Sequence, residues 1–132
     1  DNKDKSMLRE MLGGKIHSAT LTETRLDYEG SCAIDRDLLD AAGIAVYERV
    51  HIYNVNSGLR LDTYAIPAKR GSGKVGLNGA AARLGQPGDK VIIVNYVQVV
   101  DEELSKHRCK VVLVDGKNKI TKLIEHKSER PK

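Results

Sequence analysis

Ser31, His17 and several aspartates supply the residue types of a nucleophile, a base and an orienting acid. No G-x-S-x-G elbow surrounds Ser31, however, and most chains offer such triples. Gly71-Ser72-Gly73-Lys74-Val75-Gly76 matches the G-x-G-x-x-G dinucleotide fingerprint letter for letter. That fingerprint also needs a full helix and an acidic residue about 20 positions on. Here Gly76 leads into a short Ala-rich helix pattern and the next acid is Asp89, so the segment reads as a flexible turn. Cys32 and Cys109 lie far apart, with no C-x-x-C pair and no Cys/His cluster of zinc spacing, so no metal is expected and both thiols read as reduced. Paired carboxylates for glycoside hydrolysis are equally unspecific. Taken singly, Gly30-Ser31 is a turn, Lys15 and Arg60 are surface charges, Tyr64 is a core phenol, and His17 is a structural histidine.

The elements that must position these groups are mostly strands, because the apolar pattern has period two or comes in short runs between turn residues. A strand is expected over about 12–22, where Ile16-His17-Ser18-Ala19-Thr20-Leu21-Thr22 alternates imperfectly. Asp35 is placed to cap a short helix carrying Leu38, Leu39, Ala41 and Ala42, and Gly43 stands where a left-handed C-terminal residue belongs. Residues 50–55 and 59–66 flank Asn56-Ser57-Gly58 as a hairpin, with Pro67 ending it or marking an edge. Gly79 to Gly85 reads as one to two helical turns. Residues 91–100 form the strongest strand pattern, with both faces covered, and 111–114 and 120–124 form a last hairpin around Asp115-Gly116. Many short strands and frequent Gly turns predict a small mainly β, closed barrel, since closure removes free edges. Its modest core also predicts burial against copies of itself.

The chain has 132 residues, 40% hydrophobic and 30% charged, which fits one domain and leaves no room for a second core. Residues 1–6 have neither periodicity nor apolar content and are set apart as an appended segment. No apolar run approaches the roughly 18 residues of a membrane span, and the first residues are too polar for an export signal, so a soluble, cytoplasmic protein without membrane contact is expected. The net charge of +4 sits wholly in residues 117–132, which hold six Lys/Arg against Glu125 and Glu129. This segment reads as a solvated basic tail after a domain spanning 7–116. With five Tyr and no Phe or Trp, the rings a single-strand binder would stack on are scarce, and nucleic acid is disfavoured as a partner.

Read outward from Gly30-Ser31, the weak pieces line up. They run Gly14-Lys15-Ile16-His17, Asp27-Tyr28-Glu29-Gly30-Ser31-Cys32-Ala33-Ile34-Asp35, Asn56-Ser57-Gly58-Leu59-Arg60, Thr63-Tyr64-Ala65-Ile66, Asn78-Gly79-Ala80-Ala81-Ala82 and Pro87-Gly88-Asp89. In this order, over roughly residues 7–115, the chain resembles the aspartate 1-decarboxylases, pyruvoyl enzymes that make β-alanine for pantothenate synthesis.

The resemblance implies a double-psi β-barrel, a homotetramer, and self-cleavage between Gly30 and Ser31 that turns Ser31 into a covalent pyruvoyl group, without metal or PLP. That ketone would form a Schiff base with L-aspartate, leading to loss of carbon dioxide. It further implies Tyr64 as proton donor, Lys15 and Arg60 as carboxylate-binding cations, and Thr63 and Asn78 in processing. Asn78, Gly79, Ala80 and Ala81 would contact substrate, with His17 and Tyr28 in the lining. Some members mature with an accessory protein, and the resemblance leaves open whether this chain does. Ser18, Arg83 and Ala45-Val46-Tyr47-Glu48 depart from the common pattern, away from the pyruvoyl precursor and the Arg-x-x-Thr-Tyr set. In a flat strand Arg60 and Tyr64 would share a face about 13 Å apart with Thr63 opposite, which favours a site built between subunits. The competing expectations are a non-enzymatic small barrel with an uncut Gly30-Ser31 turn, and a pyruvoyl decarboxylase for a different amino acid.

Overall fold

A computed structural model describes residues 7–132, and the segment 1–6 set apart above lies outside the described residues. Among the described residues nine strands carry the fold: β1 (Leu8–Thr20), β2 (Glu23–Arg25), β3 (Ser31–Asp35), β4 (Arg49–Asn54), β5 (Arg60–Ala68), β6 (Val75–Asn78), β7 (Lys90–Val100), β8 (Arg108–Val114) and β9 (Ile120–Lys127). In the same residues one helix, α1 (Arg36–Ala42), and two 3-10 turns, Gly79–Leu84 and Asp101–Lys106, interrupt them. The strands form one sheet in the order β2-β6-β3-β5-β4-β7-β1-β8-β9. The mainly β expectation holds and the architecture is that of a small barrel, but the hydrogen-bonded ring is not closed. β2 and β9 are both edges, so the sheet wraps its core without joining its ends.

Period-two patterning explains why these segments are strands. In β4 the buried residues are Val50, Ile52 and Asn54, while Arg49 is exposed and His51 and Tyr53 are half-buried. β1 pairs antiparallel with β7 and parallel with β8, and its ladder slips twice, at Leu12/Gly14 and Ile16/Ala19. Such irregularities increase local twist and bend a long strand over the core. The core itself comprises Ile16, Leu21, Ile34, Ile52, Leu77 and Ile93 with Leu38 and Leu39 of α1, all at most 1% exposed. β7 is buried over most of Val91–Asn95, but Tyr96 reaches solvent, so the expected double coverage holds only for its first half.

Asp35 organises one end of the barrel. Its carboxylate caps α1 by accepting from the Asp37 N–H at 2.9 Å, and it also accepts from the Gly71 N–H at 3.0 Å and the Gly73 N–H at 2.8 Å. The Gly-rich segment that spells a dinucleotide fingerprint therefore cradles a carboxylate of its own chain. Burial pushes the Asp35 carboxyl up, but the backbone donors of Gly73, Asp37 and Gly71, with Lys119 nearby, together hold it below its usual value. α1 ends at Gly43 with φ 71°, as its sequence predicts.

The chain past residue 116 continues the fold. β9 pairs with β8 from Arg108↔Lys127 to Val114↔Ile120, and Asn118, 1% exposed, donates through Nδ2 to Thr20 and Gly73 carbonyls at 2.8 Å each. Of the six cations that mark 117–132 as a tail, Lys122 and Lys127 lie on this edge strand and the other four flank it, and the strand's side chains face water while its backbone is bonded on one side.

Replacing Asp35 with Ala strands three backbone donors and is expected to cost about 3 kcal/mol in urea unfolding near pH 7. Because the folded carboxyl titrates below its unfolded value, its contribution is complete above about pH 4 and is lost as pH falls. The stability gap between wild type and Asp35→Asn should therefore close in acid.

Candidate active site

β3 begins at Ser31, and its first residue decides the local architecture. On one side β3 pairs antiparallel with β6, Ser31 opposite Asn78. On the other it pairs parallel with β5, but only from Cys32↔Ala65 onward. β5 residues 60–64 thus have β4 as their one ladder partner. A cavity of about 310 Å³ opens along that free edge, lined by Gly30, Leu61, Asp62, Thr63, Tyr64, Ala80, Ala81 and Leu84.

Ser31 is 1% exposed and Asn78 2%. Asn78 Nδ2 donates to Ser31 Oγ at 3.0 Å, and Ser31 Oγ donates to the Glu29 carbonyl at 3.3 Å. Asn78 Oδ1 is buried without a partner, a costly arrangement for an amide oxygen. The serine hydroxyl is thus fixed between an amide donor and the backbone just ahead of Gly30. Beside it, Cys32 is fully buried and burial pushes its thiol up to about 12, so it stays protonated.

Gly79 holds the turn against this segment. Its φ is +65°, and a Cβ there would lie 2.7 Å from both Gly30 Cα and N and 2.9 Å from the Tyr28 carbonyl oxygen. Only glycine permits both the left-handed backbone and the close approach. Ala80 and Ala81 follow it in the 3-10 turn and, with Leu84, form that turn's part of the cavity wall.

The structure thus brings Gly30, Ser31, Thr63, Tyr64, Asn78, Gly79, Ala80 and Ala81 together within one chain. Thr63 and Tyr64 line the same cavity although they are adjacent in a strand, because the space lies along the strand's edge instead of above one face. Tyr64 is half-buried, its ring 6.1 Å from that of Tyr47. Arg60 lines a neighbouring cavity of about 220 Å³ with His51, Tyr53, Leu61 and Asp62, and Leu61 and Asp62 wall both spaces. Tyr28 is exposed, with the Arg25 guanidinium 5.0 Å from its ring centre, and contributes its carbonyl to the Gly79 contact.

Lys15 and His17 stand apart. They lie on β1, opposite Val111 and Leu113 of β8, and line neither cavity. β7 and β4 separate β1 from β5 in the sheet. His17 Nδ1 is buried without a partner. A larger cavity of about 570 Å³ beside α1 and the β8–β9 hairpin contains none of the candidate residues. Leu61, Asp62 and Leu84 are wall residues that sequence patterning does not single out. Among the described residues no cluster of three or more His, Cys, Asp or Glu could hold a metal ion.

Gly79→Ala is expected to lose about 2 kcal/mol in urea unfolding, since it adds left-handed strain and displaces Gly30. Ala80→Ser, on the exposed start of the turn, should stay within about 0.5 kcal/mol in the same experiment.

A family model described as aspartate decarboxylase matches residues 7–121. The chain is 60% identical over 120 residues to the aspartate 1-decarboxylase of Neisseria meningitidis serogroup C, covering 91% of this chain and 94% of that protein. It is 54% identical over 118 residues to the aspartate 1-decarboxylase of Bacillus velezensis, covering 89% and 93%. With that of Bacillus subtilis strain 168 the identity is 51% over 124 residues, covering 94% and 98%.

Proposed function

Because this chain belongs to the aspartate decarboxylase family and is an enzyme of that kind, we propose that it decarboxylates L-aspartate to β-alanine after cutting itself between Gly30 and Ser31. The observation that carries the reading is the buried Ser31 hydroxyl, held by Asn78 Nδ2 at 3.0 Å directly behind a glycine that lines a cavity with Thr63 and Tyr64.

Self-cleavage starts when Ser31 Oγ attacks the Gly30 carbonyl carbon. The peptide C–N bond gives way to an ester and the Ser31 amine is freed. Loss of the Ser31 Cα proton expels the Gly30 carboxylate and leaves dehydroalanine. Water then replaces the nitrogen, which departs as ammonia, and a pyruvoyl group remains. Glycine at position 30 keeps the attacked carbonyl unobstructed. Asn78 fixes the hydroxyl, and Thr63, which lines the same cavity as Gly30, is suited to hold the Gly30 carbonyl oxygen as charge develops on it.

The residues present fit a pyruvoyl group at position 31: scission would carry the Ser31 oxygen away on the Gly30 carboxylate and leave a methyl in its place, so the buried Asn78 Nδ2 that now holds that oxygen would be a donor freed for the new ketone oxygen, which only accepts. When formed, the pyruvoyl ketone supplies an electron sink for a substrate amine. The chain's own side chains do the rest. Arg60 grips one substrate carboxylate with its planar fork, and Lys15 attracts the other as a point charge. Tyr64 donates its phenol proton to the carbon that loses carbon dioxide and regains one from water. Ala80 and Ala81 shape the wall, and His17 joins the lining. Since Lys15 and His17 line neither cavity of their own chain, we place them in the site of a neighbouring copy in a homotetramer. The binding-module alternative has no comparable support.

Intact mass should resolve purified protein, warmed without any accessory protein, into chains of 30 and 102 residues. Borohydride with L-aspartate should add mass to the larger chain alone. Ser31→Ala should remain one 132-residue species that releases no carbon dioxide from aspartate. An uncut wild-type chain that still turns aspartate over contradicts the proposal. Thr63→Val should slow scission about a hundredfold, the scale of one lost oxyanion donor.

A further inference from the structure

Arg60 is held in an unusual way. Its guanidinium carbon lies 4.1 Å from the centre of the Tyr53 ring, directly across the β4–β5 ladder. Asp62, two residues on in β5 and lining the same cavity, is engaged by Arg49 at 2.8 Å. Among the described residues Arg60 has no carboxylate partner. The Tyr53 ring is in turn fixed at its far end, where its hydroxyl lies 2.7 Å from the hydroxyl of Tyr96 on β7. His51 packs edge-on against the Tyr96 ring at 5.2 Å.

A guanidinium fixed by a carboxylate spends its edge donors on that partner. One fixed by its face against an aromatic ring keeps the whole fork of N–H donors free for an incoming carboxylate, while its flexible stem is restrained. We propose that Tyr53, braced by Tyr96, is the positioning residue that presents Arg60 to a carboxylate of the substrate. The proposal rests on the reading of Arg60 as a carboxylate-binding residue.

The test is steady-state kinetics with L-aspartate on fully matured enzyme. Tyr53→Leu and Tyr53→Met both remove the ring, so that one of them reports if the other fails to fold. Each is expected to raise KM about fivefold, the scale of one partly exposed cation–π contact, with kcat within about twofold. Tyr53→Phe restores the stacking face and should bring KM back to within about twofold of wild type. In an Arg60→Ala background the ring-removing substitutions should add less than about twofold, because the group they position is gone.

Calorimetric binding of succinate to the uncut Ser31→Ala chain gives the same comparison without maturation. Ring removal should weaken it about fivefold only when Arg60 is present. An equal effect in both backgrounds overturns the proposal by showing that Tyr53 acts independently of Arg60. Wild-type KM in both ring-removing variants, beside an impaired Arg60→Ala, overturns the stacking alone. Wild-type KM in Arg60→Ala overturns the carboxylate role of Arg60 and the proposal with it.

Discussion

The hydrogen bond from Asn78 Nδ2 to Ser31 Oγ ties the ladder to the chemistry, because both residues are the paired ends of buried strands. β3 and β6 are short, and each relies on the other for its antiparallel bonds. A buried hydroxyl and a buried amide at their junction must satisfy one another, since no water reaches them freely. That requirement fixes the Ser31 rotamer and leaves Asn78 Oδ1 unmatched. The imbalance sits where the proposed scission takes place, where a cost to stability accompanies function.

The stagger of the sheet supplies the space. β5 runs antiparallel to β4 over its first half and parallel to β3 over its second, so the edge between Arg60 and Tyr64 is left free on one side. Gly30 and the turn beginning at Gly79 approach that edge without filling it. The result is a pocket whose walls come from three separate parts of the chain, held at their bases by ladder bonds and by the Asp35 carboxylate at the far end of β3. Rigid elements thus position groups that a loop would leave loose.

Much of this was legible in the sequence. The Asp35 cap, the Gly43 stop, the hairpin around Asn56-Ser57-Gly58 and the mainly β class follow from local rules. β3 was not legible as a strand, because all five residues are buried and no alternation marks it. β6 was hidden behind the glycines that wrap Asp35. Net charge suggested a tail after residue 116, whereas an edge strand keeps charged side chains in water while its backbone bonds to β8. The flat-strand rule separated Thr63 from Tyr64, and it failed because the pocket lies along an unpaired edge. The family motif picked out a set that includes Lys15 and His17, which one chain alone does not bring to the pocket. Periodicity within a chain carries no information about contacts supplied by a second copy.

The direct test of the Ser31–Asn78 contact is the rate at which the 102-residue chain appears by intact mass in freshly purified Asn78→Ala against wild type, with circular dichroism confirming equal folding. Removal of the amide that holds the hydroxyl should slow scission at least about tenfold. Equal rates in two equally folded proteins would show that Asn78 is packing only, and that the hydroxyl finds the Gly30 carbonyl without it.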